Sequence, residues 1–336
     1  MSIYNQIRAF VEKATKIVIT SHRSPDGDSV GSSMALYHVL TSLGKEVVVC
    51  HPDPTPTYLK WVPDVACIEN FDGDNLLVKN RLLNADLIFS LDYNEPSRLG
   101  DAMGVILVQS TAKKIMIDHH LMPADFTDLM LSDTSSCSTC QLVFDLIEGA
   151  DWMRHLSVNA AVSIYLGIMT DTGSFRFPSV QPRTHEIIAK LLAFEINHSL
   201  IHEAINDVNT LDRLRLKGFA CSDKLVVNEK DKYAYITLTQ AELERYNYQK
   251  GDTEGLVNTA LSIVGMRIAV LFQEYENYVK ISFRSKGKEN AVNVMASTYF
   301  HGGGHANASG GKHNGSIQDA VQLFEQVFPE FFSTVQ

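Results

Sequence analysis

The sequence predicts a two-domain α/β protein: a doubly wound, mostly parallel sheet at the N-terminal end, a helical connector, and a smaller C-terminal α/β domain with a mixed sheet. Three observations predict it. Short β-branched runs alternate with helical segments over the first half; several of those runs end in loops rich in acids or histidines; and a helix-rich stretch at 183–222 precedes a second group of strands. A length of 336 residues with 45% hydrophobic content suffices for two cores. The expected boundaries are 1–182, 183–222 and 223–336.

The elements follow in order. MSIYNQIRAFVEKATK spaces Ile3, Ile7, Phe10, Val11 and Ala14 on one helical face, while Arg8, Glu12 and Lys13 interrupt any apolar signal segment. KIVITS at 16–21 reads as a strand, a polar loop follows, and a helix runs from Ser29 to Leu43 with Gly44 as its stop. Strands at 47–50, 86–92 and 114–118 alternate with helices near 75–84 and 135–148. A helix at 157–170 leads into TDTGSFRF, and 183–222 carries periodic apolar residues with few turn signals. Beyond it KLVVNE, KYAYITLT, MRIAVLFQEY and YVKISFRSK read as strands, the last two joined by a turn at Glu276 and Asn277. Helices near 290–299 and 316–328 complete a second, smaller sheet domain.

Bulk properties narrow the function. A net charge of −10 argues against an extended basic surface for long nucleic acid, although small anions remain candidates. No apolar stretch reaches the ~20 residues of a membrane span, so a cytoplasmic protein without a membrane partner is expected. Five scattered cysteines fit reduced thiols, and the one CxxC, Cys137 to Cys140, reads as packing near a helix start.

The chemistry gathers at the carboxyl ends of the predicted strands, where ligands bind in open α/β sheets. His22, Asp26 and Asp28 lie in SHRSPDGDSVGS between a strand and a helix. Two aspartates two residues apart can face different cations, and His22 adds a nitrogen ligand. Asp28 also reads as a helix cap. Gly31 lets its helix pack close to the sheet. Asp92 ends one apolar strand, and Asp118, His119 and His120 end another, where buried charge is expensive without cations. Asp171 in GIMTDTGSF reads equally as a cap or as a ligand. In the second domain, Gly302, Gly303 and Gly304 before His305 can bring backbone N–H groups to an anion, or simply form a turn. Arg284 offers a guanidinium for a terminal phosphate or a base face.

The order HxxxDxD, D, DHH, D, with GGGHANASGG at 302–311, resembles the DHH phosphoesterase superfamily. FRFPSVQPRTHEI and ISFRSKG extend the resemblance over nearly the full chain and towards the nanoRNase and pAp phosphatase branch. The resemblance implies two divalent cations, manganese first, with magnesium or cobalt as alternatives. It makes His22, Asp26 and Asp92 ligands of one cation, and Asp28, Asp92, His119 and Asp171 ligands of the other, with Asp92 as the bridge. It implies that His120 touches the substrate phosphate or the departing oxygen. Asp118 would orient a neighbouring imidazole, with direct ligation as the rival role. Arg98, Arg284 and His305, with the three glycines, become substrate-binding candidates, Arg98 reading equally as a solvated surface residue. The implied substrates are short oligoribonucleotides, linear dinucleotides or pAp. The rivals are an inorganic polyphosphate or pyrophosphate hydrolase and a non-catalytic nucleotide-binding module. A homodimer is one assembly the sequence admits.

Overall fold

A computed structural model describes residues 2–73 and 75–332. The chain divides into two compact units, Met1–Val208 and Asn209–Gln336.

The first unit begins with α1 (Ile3–Lys13), β1 (Lys16–Ser21), α2 (Gly27–Ser42), β2 (Glu46–His51), β3 (Glu69–Asn70), α3 (Leu76–Leu83) and β4 (Leu87–Leu91). It continues with α4 (Asp101–Gln109), β5 (Lys113–Asp118), β6 (Leu129–Ser132), α5 (Thr139–Gly149), α6 (Val158–Asp171), α7 (Pro182–Leu192) and α8 (His198–Asn206). Six parallel strands lie in the order β3-β2-β1-β4-β5-β6. The chain starts near the middle, runs to one edge and returns past its own first strand, so the switch point falls between β1 and β4. All five residues of β4 are buried, as a central parallel strand covered on both faces requires. One face packs on α1, α2, α5 and α6, whose core includes Ile7, Met34, Phe144 and Ile164. The other packs on α3 and α4 through Val78, Leu82, Met103 and Leu107.

Gly31 serves a different neighbour from the one expected. A Cβ there would stand 2.5 Å from the Ser163 carbonyl oxygen on α6. The missing side chain lets two helices approach, rather than a helix and the sheet.

The second unit contains α9 (Leu211–Asp223), β7 (Leu225–Asn228), β8 (Tyr233–Leu238), α10 (Gln240–Arg245), α11 (Leu256–Leu261), β9 (Ile268–Tyr275) and β10 (Tyr278–Ser285). It ends with α12 (Asn293–Tyr299), β11 (Gly303–His305), β12 (Ala308–His313) and α13 (Ile317–Phe332). Its sheet is mixed, in the order β11-β12-β10-β9-β8-β7, with only the β8–β9 pair parallel. It has as many strands as the first sheet because the glycine-rich segment supplies two of them. Where a simple loop was one reading of that segment, the structure has a hairpin: a Cβ on Gly302 would meet the Gly310 carbonyl oxygen at 1.9 Å, and Gly304 adopts φ +133°. Helices from 183–222 are shared between the units: Ile187, Leu191 and Ile201 join the first core, Leu216 and Ala220 the second. No helix among the described residues is long and apolar enough to cross a membrane.

Candidate metal centre

His22 follows β1, and Asp92 follows β4, so the two sides of the switch point each contribute a ligand-type side chain. His22 Nε2 lies 3.3 Å from Asp92 Oδ2 and 3.8 Å from Asp26 Oδ2. Its Nδ1–H donates to the Arg23 carbonyl at 2.7 Å, which turns Nε2 towards the acids. Asp26 does two things at once. Its Oδ1 caps α2 by accepting from the N–H groups of Asp28 and Ser29, while its Oδ2 faces His22.

Asp28, fully buried in the first turn of α2, accepts from the N–H groups of Thr139 at 2.6 Å and Cys140 at 2.9 Å. These are the first backbone donors of α5, whose N-terminus favours a negative charge. His119 mirrors His22: its Nδ1–H donates to the Ser136 carbonyl at 3.4 Å, and its Nε2 lies 3.2 Å from Asp171 Oδ2, 3.6 Å from Asp92 Oδ1 and 3.9 Å from Asp28 Oδ2. Asp92 Oδ1 also accepts from the Thr139 hydroxyl at 3.0 Å. His120 Nδ1 meets Asp118 Oδ1 at 2.7 Å, and Asp118 is fully buried. Its Oδ2 is an orphaned acceptor among the described residues.

Ligand-type atoms thus form three groups, each within 4.8 Å: His22, Asp26 and Asp92; Asp28, His119 and Asp171; and Asp92, His119 and His120. The charges respond to this crowding. Burial opposes a charged ring at His22, but the hydrogen bond and charge of Asp92 prevail and raise it to about 9. At His119 burial is again outweighed, here by Asp171, Asp92 and Asp28, and the ring rises to about 10. Asp92 is held down at about 2 because three histidines overcome its burial. Asp28 is pushed well up by burial and by Asp92 and Asp171, and burial lifts Asp171 to about 6 against the pull of His119. Buried carboxylates forced towards neutrality beside two aimed imidazole nitrogens form a donor set that divalent cations fit.

The sequence reading missed Thr139 and Ser136. Ser136 acts through its carbonyl, and Thr139 acts through both its N–H and its hydroxyl. The signal was the run SSCSTC ahead of α5, where the CxxC drew attention instead. Both cysteines are buried at that helix start.

The substrate candidates fall in two places. Arg98 is exposed in the turn Pro96–Leu99 beyond Asp92, where its carbonyl accepts from Arg23 N–H at 2.9 Å. In the second unit, Arg284 of β10 pairs with Ala308 of β12, and Ala308 pairs with His305 of β11. Residues directly opposite share a sheet face, so Arg284 and His305 flank one small alanine at about 10 Å separation. Burial holds the Arg284 guanidinium below its ordinary range, and its Nη1–H donates to the Phe283 carbonyl. Gly303 has open space where a side chain would stand.

Comparison with known proteins gives these groups a lineage. The DHH family, N-terminal domain, is matched over residues 16–168 and the DHHA1 domain over 230–330. The bifunctional oligoribonuclease and PAP phosphatase NrnA of Thermus thermophilus is 30% identical over 316 residues, covering 93% of this chain and 87% of the relative. The protein of the same name from Bacillus subtilis is 28% identical, covering 88% of each chain. The crystal structure of an exopolyphosphatase-related protein from Bacteroides fragilis superposes with a TM-score of 0.96 at 39% identity, covering 98% of this chain and 96% of that one. With both domains matched in order and relatives spanning nearly its whole length, the chain belongs to the DHH phosphoesterase superfamily, in its nanoRNase and pAp phosphatase branch.

Proposed function

We propose that the chain is a metal-dependent phosphoesterase that hydrolyses short oligoribonucleotides, linear dinucleotides such as pGpG and pApA, and 3′-phosphoadenosine 5′-phosphate. The observation that carries this reading is the pair of ligand groups meeting at Asp92. His22, Asp26 and Asp92 would hold one cation, and Asp28, Asp92, His119 and Asp171 a second. Mixed nitrogen and carboxylate donors suit manganese first, with magnesium or cobalt as alternatives. Bound cations supply Lewis-acid polarisation of the phosphoryl group and activation of water.

The chain's own groups do the rest. Asp118 fixes the His120 ring through Nδ1, so that the ring meets the substrate phosphate and passes a proton to the departing oxygen. Arg98 adds positive charge beside the turn that follows Asp92. Arg284 and His305 bind a second feature of the substrate, a terminal phosphate or a base face, and the Gly302–Gly304 strand lets that group come close to the backbone. In this reading residues 1–182 form the catalytic domain and 223–336 the substrate-binding domain, joined through 183–222. The enzyme works on small nucleotides in the cytoplasm.

The relatives named oligoribonuclease and PAP phosphatase favour this substrate class over inorganic polyphosphate. One assay tests it: purified protein with manganese against pAp, pGpG, a trinucleotide and tripolyphosphate, each with and without chelator. Nucleotide turnover should exceed tripolyphosphate turnover and vanish with chelator. Equal rates on tripolyphosphate would reverse the order of substrates, and tight nucleotide binding without turnover would indicate a binding module.

A further inference from the structure

Immediately beyond Asp171, Gly173, Ser174 and Phe175 are three consecutive left-handed residues, with φ of +56°, +60° and +64°. Two of them carry side chains, so the turn is strained and must be held by its surroundings. It is. Gly173 N–H donates to the Thr170 carbonyl, Ser174 N–H to the Met169 carbonyl, and Phe175 N–H to the Thr172 hydroxyl. The Phe175 ring is anchored against Tyr165 and His185, with centroids 5.9 and 6.1 Å away.

What the turn presents is Phe177. A Cβ on Gly173 would fall 2.6 Å from Phe177 Cζ, so the ring lies on the bare Gly173 backbone. Phe177 is 47% exposed, and among the described residues it joins none of the hydrophobic cores. Two aromatic residues two apart therefore divide the work, one tethering the turn and the other facing water. Gly173 is two residues from Asp171, hence at most about 7 Å away along the chain. The ring thus lies on the turn that directly follows a candidate metal ligand, where an exposed aromatic face can meet the base of a nucleotide whose phosphate sits at the acids.

We propose that Phe177 is a stacking platform for the nucleobase beside the scissile phosphate, held out by the left-handed turn at 173–175. The inference rests on the nucleotide-hydrolase reading above and deepens it. Stacking tolerates every base, because each has a π-face, so the platform selects nucleotides over base-free phosphates without selecting sequence.

The test separates the two claims. Manganese-loaded wild type, F177A, F177L and F177W are compared for binding of AMP against ribose 5-phosphate, and for kcat/KM on a 5′-phosphorylated dinucleotide against its abasic analogue, with metal content measured in each. F177A and F177L should lose about 5- to 150-fold of the preference for the base-bearing ligand, the range that loss of one base–aromatic stack gives. F177W should keep it, and ribose 5-phosphate, the abasic analogue and metal content should stay unchanged. An F177L protein with wild-type preference, or F177A weakening base-bearing and base-free ligands equally, overturns the platform. A wild type that does not cleave dinucleotides sinks the nucleotide-hydrolase reading instead, and the AMP preference still decides the role of Phe177.

Discussion

Asp92 carries several demands in one residue. Its backbone is left-handed at φ +63°, its N–H donates to the Ile117 carbonyl, and its carboxylate takes the Thr139 hydroxyl while facing three histidines. Asn tolerates this backbone nearly as well as Asp, whereas alanine would be strained there. Asp92→Asn is thus the cleaner probe, because it keeps the shape and an acceptor for Thr139 while removing the charge assigned to both cations. We expect an unchanged far-UV spectrum, reduced metal content, and kcat/KM on a dinucleotide down by at least ~10³-fold. Retention of turnover within tenfold of wild type would remove Asp92 from the centre. Asp86 is a second residue whose charge has a defined job, this time in the fold. Its Oδ2 accepts from the N–H groups of Lys16 and Thr15 at 2.8 and 2.9 Å, and those bonds hold its carboxyl below the ordinary aspartate range. A folded-state value below the unfolded one stabilises above pH ~4 and is lost as pH falls through the folded value. Asp86→Asn should therefore melt below wild type at pH 7, with the gap closing as pH falls below the ordinary aspartate range. A gap that widens in acid would contradict the sign.

Helices α2 and α6 bring most of the acids to one place, and glycine sets their distance. Gly31→Ala would put a methyl group 2.5 Å from the Ser163 carbonyl oxygen, which belongs to the backbone and has little room to give. Urea unfolding should show a loss of ~1–3 kcal/mol from overpacking. Because α2 carries Asp28 and α6 ends at Asp171, manganese affinity should fall with stability. Unchanged affinity in a destabilised variant would mean that the centre does not depend on this contact. The same elements show what the sequence could reveal. β1, β4 and β5 were legible because burial on both faces demands near-continuous apolar runs, and each runs into an acid or histidine that would be costly there without a purpose. α4 was not, since DAMGVILVQ buries Met103, Ile106 and Leu107 yet exposes Val105 and Val108, which erases the helical period. β3 has only two residues and β6 is half-buried throughout, so neither shows a strand pattern. β11 and β12 were hidden by glycines, whose pairing depends on close backbone approach rather than side-chain alternation. In the site, the acids and histidines were legible as residue types, but the groups that orient them were not. The Arg23 and Ser136 carbonyls and the Thr139 and Cys140 N–H groups are backbone, and backbone donors and acceptors have no sequence signature.

At the scale of the whole molecule, charge and the placement of cationic groups limit the substrate. The chain carries a net charge of −10, so binding of a long polyanion would have to come from local patches rather than from the overall field. The basic candidates are few: Arg98 in the first unit, and Arg284 with His305 across a single alanine in the second. A protein that tracks a long single strand needs a continuous basic groove and repeated stacking platforms, and its affinity falls steeply with salt as counterions are released. Two or three phosphate contacts instead give a shallow salt dependence, which suits short substrates. Each further nucleotide then adds negative charge to a complex with a net-acidic chain, without a further basic candidate to meet it. We therefore expect kcat/KM under fixed manganese to be highest among RNAs of two, three and five residues. It should drop by at least about tenfold at twenty-four residues, where repeated contacts would otherwise accumulate. The drop should steepen as salt is lowered, because repulsion of the surplus phosphates is screened less. A flat profile, or one that rises with length and weakens sharply with salt, would mean that the substrate path is an open basic channel, and would replace the short-nucleotide reading with that of a processive exonuclease.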